Sequence, residues 1–421
     1  MPNVSLQIKD CYAMVNAMVA MATGEQSISV VDTSSFVDAG KLILSTGYDN
    51  IMKVCSVLVG DYWVAARPYT GKFRTILKDA AGFSARKMKT SFYSTLTEPS
   101  HMYNTDLYTN LGQGLTDTSG AGNMWDQNFP DSVENLFYSS YVWDKHYSVT
   151  EDQIAMWFRS EEEFIKYWNG FLTEFDNDVE QELETKNRMV ILDRIGGTYA
   201  NKAVRPESAV NVVKVYNDYC GTNYTWNEII TEHKEDFIKV FDSKLEIDSD
   251  RLTYRTVKYH DPLSKTVNGV TKVIRRHTPK DKQRFLYYSP LFRFAKNFTF
   301  ANLFNPQFIP ETQGEGVASW QAFDTDIDDD NMAVYVKPAA AFGEGTPENV
   351  KLDCVLGILF DEDAIMTHNF VEHRYTTPLE AAKGYRNMWF HYRFGAYQDY
   401  SENCIIYYAE DEDTNSEENN G

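Results

Sequence analysis

The stretch from Glu161 to Asp193 constrains this chain more than any other. Apolar residues fall at Phe164, Trp168, Phe171, Phe175, Val179, Leu183 and Val190. Steps of three, four and seven place them on one helical stripe. The opposite face carries Glu163, Glu174, Asp176, Asp178, Glu180, Glu182 and Glu184. The pattern predicts a single helix, weakened slightly at Gly170 and stopped by Gly196 and Gly197. At about 1.5 Å per residue it is about 50 Å long, more than the width of a small domain. Such a helix is a structural spine.

The segments before the spine have other textures. Residues 10–22 read as a short helix ended by Gly24. Its apolar run is broken by Asn16, and Lys9 is followed at once by Asp10, so an amphipathic helix fits better than a signal peptide. Residues 25–60 hold a second helical pattern around Leu42, Ile43, Tyr48 and Ile51. From Asp61 to about Thr150 helical periods are scarce, while Tyr, Ser, Thr, Asn and Gly abound. The turn-rich NLGQGLTDTSGAGN within it is expected to be mobile. A span of that size is too long for a connecting loop. It is expected to form an extended β-hairpin arm or a small β domain. Its aromatic residues are scattered, and no core of its own is visible.

Beyond the spine, residues 201–370 read as a mixed α/β domain. ESAVNVVKVYNDYCG and NEIITEHKEDFIKVFDSKL are helices, the first with a glycine stop, and CVLGILF is a buried strand. NMWFHYRFGAYQDY and NCIIYYAED read as two strands joined by a tight turn at about Tyr400–Asn403. The acidic tail EDEDTNSEENNG has the composition of a disordered segment.

Composition narrows the function. The chain has 421 residues, 61 acidic and 40 basic, for a formal net charge of -21. Apolar residues make up 43%, so wholesale disorder is excluded. Wrapping nucleic acid through net charge is disfavoured, because that needs clustered Lys and Arg. The basic run 254–296, with Tyr254, Tyr259, Phe285 and Tyr287 interleaved, is the one place for such binding. The overall acidity favours its pairing with acidic protein surface instead. Cys11, Cys55, Cys220, Cys354 and Cys404 are scattered, which fits reduced thiols rather than a disulfide framework. No apolar stretch reaches the ~20 residues that cross a bilayer.

No motif assembles an active site. Asp324, Asp326 and Asp328 have the spacing of a calcium loop's first ligands. Asp329 and Tyr335, however, stand where that loop needs Gly and Glu, so an exposed acidic loop is the better reading. His368 and His373 are five apart around Glu372, the wrong spacing for a zinc protease helix. Gly112, Gly114 and Gly120 lie in a turn-rich loop rather than in a phosphate cradle. Neither a catalytic residue, nor a cofactor, nor a metal site is expected. What stands out is aromatic content, 27 Tyr, 25 Phe and 8 Trp, beside an arm without a core. Such residues are enriched at interface centres. Candidate interface residues are Tyr103, Trp125, Phe137, Tyr141 and Trp143 of the arm, with Arg275 and Arg276 of the basic run.

Two long stretches carry a resemblance. VVDTSSFVDAGKLILSTGYDNIM with AARPYTGKF, and GILFDEDAIMTHNFVEHRYTTPLEAAKGYRNMWFHYRFGAYQDYSENCIIYYAED, resemble major capsid proteins of tailed phages of gut bacteria. The order of segments matches the α+β capsid fold of the Hong Kong 97 phage type. The resemblance implies an N-terminal arm (1–60), an extended β-hairpin loop (61–150) and a spine helix of the peripheral domain (151–200). It further implies an axial domain (201–371), terminal strands of the peripheral domain (372–410) and an acidic tail (411–421).

The function implied is an icosahedral shell, self-assembled from pentamers and hexamers, around double-stranded DNA bound without sequence specificity. The extended loop lies across a neighbouring subunit. A separate scaffolding protein is expected, since the chain starts at the arm, with a portal and decoration proteins as further partners. No membrane is involved. The location implied is the virion, and the host cytoplasm during assembly. The competing readings are another phage structural protein, of tail or baseplate, and a metal-dependent hydrolase built on Asp324, Asp326 and Asp328.

Overall fold

The computed structural model describes residues 12–13, 15–17, 19–20, 29–45, 71–73, 77–79, 86–93, 131–138, 141–150, 161–261, 263–267, 270–293, 314–321, 332–336, 349–378, 380 and 382–411. In chain order these form α1 (Thr33–Ser45), β1 (Lys78–Asp79), β2 (Arg86–Phe92), β3 (Ser132–Tyr138), β4 (Tyr141–Thr150) and α2 (Glu161–Ala200). There follow β5 (Ala209–Asn211), α3 (Val212–Cys220), α4 (Trp226–Glu232), α5 (Lys234–Leu252), β6 (Ser264–Val267), β7 (Val270–Val273), β8 (Gln283–Tyr288) and α6 (Ser289–Arg293). The last are β9 (Gly314–Val317), β10 (Val334–Val336), β11 (Val350–Leu352), β12 (Cys354–Asp361), β13 (Ile365–Thr376), β14 (Tyr385–Gln398) and β15 (Cys404–Ala409). Residues 12–20 are helical where described, and α1 is shorter than the pattern over 25–60. Gly24, Tyr48 and Ile51 lie outside the described residues.

Two compact units divide the chain, one of residues 1–82, 139–191 and 366–396, the other of 83–138, 192–365 and 397–421. The first holds a four-stranded sheet in the order β1-β13-β14-β4. Strands β4 and β14 pair antiparallel from Thr150↔Tyr385 to Tyr141↔Phe394. Alternation puts Trp143, Val149, Met388, Phe390 and Tyr392 on the buried face, as a half-buried antiparallel sheet requires. Helix α2 covers that face: the Phe175 ring meets Phe390 edge-on at 4.9 Å.

The acidic face of α2 is only partly exposed: Glu174 and Glu182 face solvent, others do not. Asp176 and Glu180 are buried. Glu180 accepts from the Gly71 amide at 3.5 Å and Glu184 from the Lys72 amide at 3.0 Å. Asp178 accepts from the Tyr147 hydroxyl at 2.9 Å and pairs with Lys145. These carboxylates hold backbone and side chains that the sequence places far away. Of the expected apolar stripe, Phe175, Val179 and Val190 are buried and Leu183 is half-buried.

The second unit is built on a mixed five-stranded sheet, β5-β15-β12-β8-β9. Strand β12, the CVLGILF segment, sits at its centre between β15 and β8, both antiparallel to it. Residues 355–361 are buried, which is why the run is continuously apolar. Helix α3 starts only at Val212, later than expected, because Ala209–Asn211 pair with β15 as strand β5; Asn211 caps it and Gly221 closes it in the left-handed region (φ 69°). Helix α4 starts with a Thr225–Glu228 capping box. Phe241 of α5 meets Tyr407 of β15 at 5.3 Å, joining helix to sheet.

The segment NEIITEHKEDFIKVFDSKL, expected as one helix, is two, α4 and α5, separated at His233. Helix α2 does not stop at Gly196 and Gly197 but runs on to Ala200. A side chain at Gly197 would collide with the Tyr400 hydroxyl, so the glycine serves close packing rather than termination. Strands β14 and β15 are joined by the expected turn at 400–402, but they do not pair with each other. They lie in different sheets, β14 beside β4 and β13, β15 beside β12 and β5. The residues between them find partners elsewhere: the Asp399 amide on the Ala364 carbonyl (2.9 Å) and the Cys404 amide on the Tyr259 carbonyl (2.9 Å). Strand β15 thus belongs to the five-stranded sheet, not with the other terminal strands.

Candidate subunit interface

Strands β2 and β3 pair in register from Arg86↔Tyr138 to Phe92↔Ser132, forming an antiparallel ladder inside the 61–150 segment. Period-two alternation gives this pair two unlike faces. One presents Met88 (66% exposed), Phe92 (68%) and Leu136 (62%), with Met88 directly opposite Leu136. The other presents Lys89, Ser91, Val133 and Phe137, all buried or half-buried. Both faces are mixed, but the outward one exposes three large apolar side chains beside Thr90, Ser132 and Glu134, while a lysine points inward with Val133 and Phe137. Burying those three apolar side chains on a partner is worth about 1.5–3 kcal/mol each.

The inward face meets a compact charge cluster. Lys89 forms ion pairs with both Asp399 and Glu402. Arg276 pairs with Glu402 at 3.1 Å and donates to the Ser91 hydroxyl at 2.7 Å. Burial pushes the Glu402 carboxyl up, and Lys89 and Arg276 pull against that without cancelling it. Burial also acts to raise Asp399, but there Lys89 and Ser401 win and hold it below its ordinary value.

The expected interface residues divide by location. Tyr103 and Trp125 lie outside the described residues. Phe137 is half-buried on the inward face. Tyr141 is 58% exposed at the start of β4. Trp143 is buried, stacked on Tyr392 at 4.3 Å with the Lys186 ammonium 4.4 Å from its ring, so it serves the core of its own unit. Arg275 is half-buried, and Arg276 is engaged by Glu402, Ser91 and the Ser401 carbonyl.

The rest of the basic run is divided: Tyr254, Arg255 and Lys258 are exposed, while other members turn inward. Lys280 pairs with Asp250 at 2.6 Å, and Arg284 with Glu362 at 2.9 Å. Tyr259 and Phe285 are buried and so present no stacking surface to bases. Asp324, Asp326 and Asp328 lie outside the described residues, as do Gly112, Gly114 and Gly120. His368 and His373 lie on strand β13, as their surroundings suggested. Among the described residues no group of three or more His, Cys, Asp or Glu is placed to hold a metal.

Sequence reasoning missed Met88, Phe92 and Leu136 as a set. The signal was partial: Met88 and Phe92 are four apart in RKMKTSF, but SVENLFY carries apolar residues on both faces, at Val133, Leu136 and Phe137. It became a surface only once the register paired Met88 with Leu136.

No family model matches the chain, and no curated protein matches it. Solved structures do. A chain from the capsid of Staphylococcus phage Andhra is 11% identical, with a TM-score of 0.50 over 81% of this chain and 84% of that one. A chain from the structure of the head fiber and inner core protein gp22 of native bacteriophage P68 is 11% identical, with a TM-score of 0.46 over 81% and 85%. A capsid chain of the cyanophage P-SCSP1u is 10% identical, with a TM-score of 0.41 over 83% and 90%. The chain has the α+β capsid fold of the Hong Kong 97 phage type.

Proposed function

We propose that a chain of this fold acts as a major capsid protein, assembling with copies of itself into the icosahedral head around a phage's double-stranded DNA. The observation that carries this is the hairpin's outward row of Met88, Phe92 and Leu136, apolar side chains facing solvent. On this reading the hairpin part of the 61–150 segment, before β4 joins its own unit's sheet, lies across a neighbouring subunit, and that row is buried there. The four-stranded sheet with α2 takes the peripheral role. The five-stranded sheet with α3 to α5, including β15, takes the axial role around five-fold and six-fold axes.

The role is structural rather than enzymatic. Matched surfaces repeated by rotation close a shell without any reaction. DNA is enclosed without sequence specificity, which suits a net charge of -21, because phosphates held tightly all over the inner surface would not be released. A scaffolding protein, a portal and decoration proteins are the expected partners. The virion is the expected location, with assembly in the host cytoplasm.

Negative-stain microscopy of concentrated purified protein, with and without a scaffold, tests this reading. Rings, capsomers or shells are expected. A protein that stays monomeric in every condition and shows metal-dependent hydrolase activity overturns it.

A further inference from the structure

The hairpin of β2 and β3 is attached to its unit in an unusual way. Its backbone ladder is satisfied internally, strand on strand. Its apolar row faces away from the rest of the chain. Among the described residues, its polar links to the rest of the unit are Lys89 with Asp399 and Glu402, Ser91 with Arg276, and Asp131 with Lys265. The last pair is exposed at 2.9 Å, so solvent screens it. The first two converge on one place: two cations and two carboxylates form a neutral set centred on Glu402, which both Lys89 and Arg276 contact.

We propose that this set is a releasable seat: the hairpin is parked on its own chain by the Lys89 ammonium, held between Asp399 and Glu402. Ionic pairing suits such a device better than apolar burial. A buried pair adds little net stability, because desolvation offsets attraction, yet losing one partner leaves a buried charge unpaired. The seat is therefore specific in position and weak in depth. The receiving carboxylates stand on the tightly bonded 399–403 link, where Asp399 also accepts from the Ser401 amide (2.9 Å) and hydroxyl (2.7 Å).

The inference stands or falls independently of the shell reading, since it concerns the unassembled chain. Hydrogen exchange on the full-length protein tests it with two variants, Lys89→Met and Met88→Ser. Lys89→Met keeps the apolar stem and removes the charge. It is expected to speed exchange in 86–92 and 132–138 by about tenfold or more, with β12 and β15 unchanged. Met88→Ser, on the outward face, is expected to leave the hairpin's exchange at the parent rate. Parent-like protection in Lys89→Met overturns the proposal. So does faster exchange spreading into β12 and β15, which makes Lys89 a support of the whole unit, or a Met88→Ser effect as large as that of Lys89→Met.

Discussion

Tyr400 lies against the backbone of Gly197, its hydroxyl in the space that a Cβ at that position would occupy. The guanidinium of fully buried Arg194, one turn earlier, sits 4.1 Å from the same ring. Gly197→Ala therefore sets helix propensity against packing. Propensity favours Ala by up to about 1 kcal/mol; overpacking a closed site costs about 1–3 kcal/mol. A net loss of stability in urea denaturation is expected. Gly170→Ala is the counterpart, since nothing lies within 4 Å of its Cβ position on an exposed turn of the same helix. It is expected to stabilise by about 0.5–1 kcal/mol.

Arg276 holds its place within the chain, so its loss should appear in folding. Arg276→Ala leaves Glu402 with Lys89 alone and the Ser91 hydroxyl without its donor. Breaking a well-buried pair costs about 3–5 kcal/mol. Arg276 keeps 21% of its side-chain exposure, so about 2 kcal/mol is expected from denaturant titration. An unchanged midpoint with impaired assembly points to an intersubunit role instead.

Trp143 separates folding from association in the same manner. It stacks on Tyr392 in its own unit, and Trp143→Ala removes that ring from a buried site. A loss of about 3–5 kcal/mol is expected in the isolated subunit. Parent-like subunit stability argues that the ring is needed only between copies.

The outward hairpin row gives the opposite pattern. Met88→Ser with Leu136→Ser removes two exposed apolar side chains. Subunit stability is expected to change by less than about 0.5 kcal/mol. Light scattering should show assembly shifted to higher protein concentration, by tenfold or more if about 1.4 kcal/mol is lost per contact.

Asp242 carries a pH dependence. Burial, then the charge of Glu246 one turn on, pushes its carboxyl up to about 6 from 3.8. Between those values the folded chain binds more protons than the unfolded one, so this group's contribution falls as pH rises through that window. Asp242→Asn is expected to raise Tm at pH 7 and to leave it unchanged near pH 4, as followed by calorimetry.

The sequence alone determined the elements whose signals are local. The α2 stripe, the Gly221 stop and the continuously apolar β12 all follow from spacing and side-chain type, because each element buries one face or both. Tertiary structure decided everything that depends on which distant groups meet. Gly197 reads as a helix stop until Tyr400 arrives beside it. The carboxylates of α2 read only as the face opposite the apolar stripe until the Gly71 and Lys72 amides claim Glu180 and Glu184. Arg276 reads as a surface charge until Glu402 lies 3.1 Å away. The outward face of the hairpin became visible only through register, because a shift of one residue would turn Met88 inward and Lys89 to solvent. Periodicity records what a residue needs within its own element; only the fold supplies the partner.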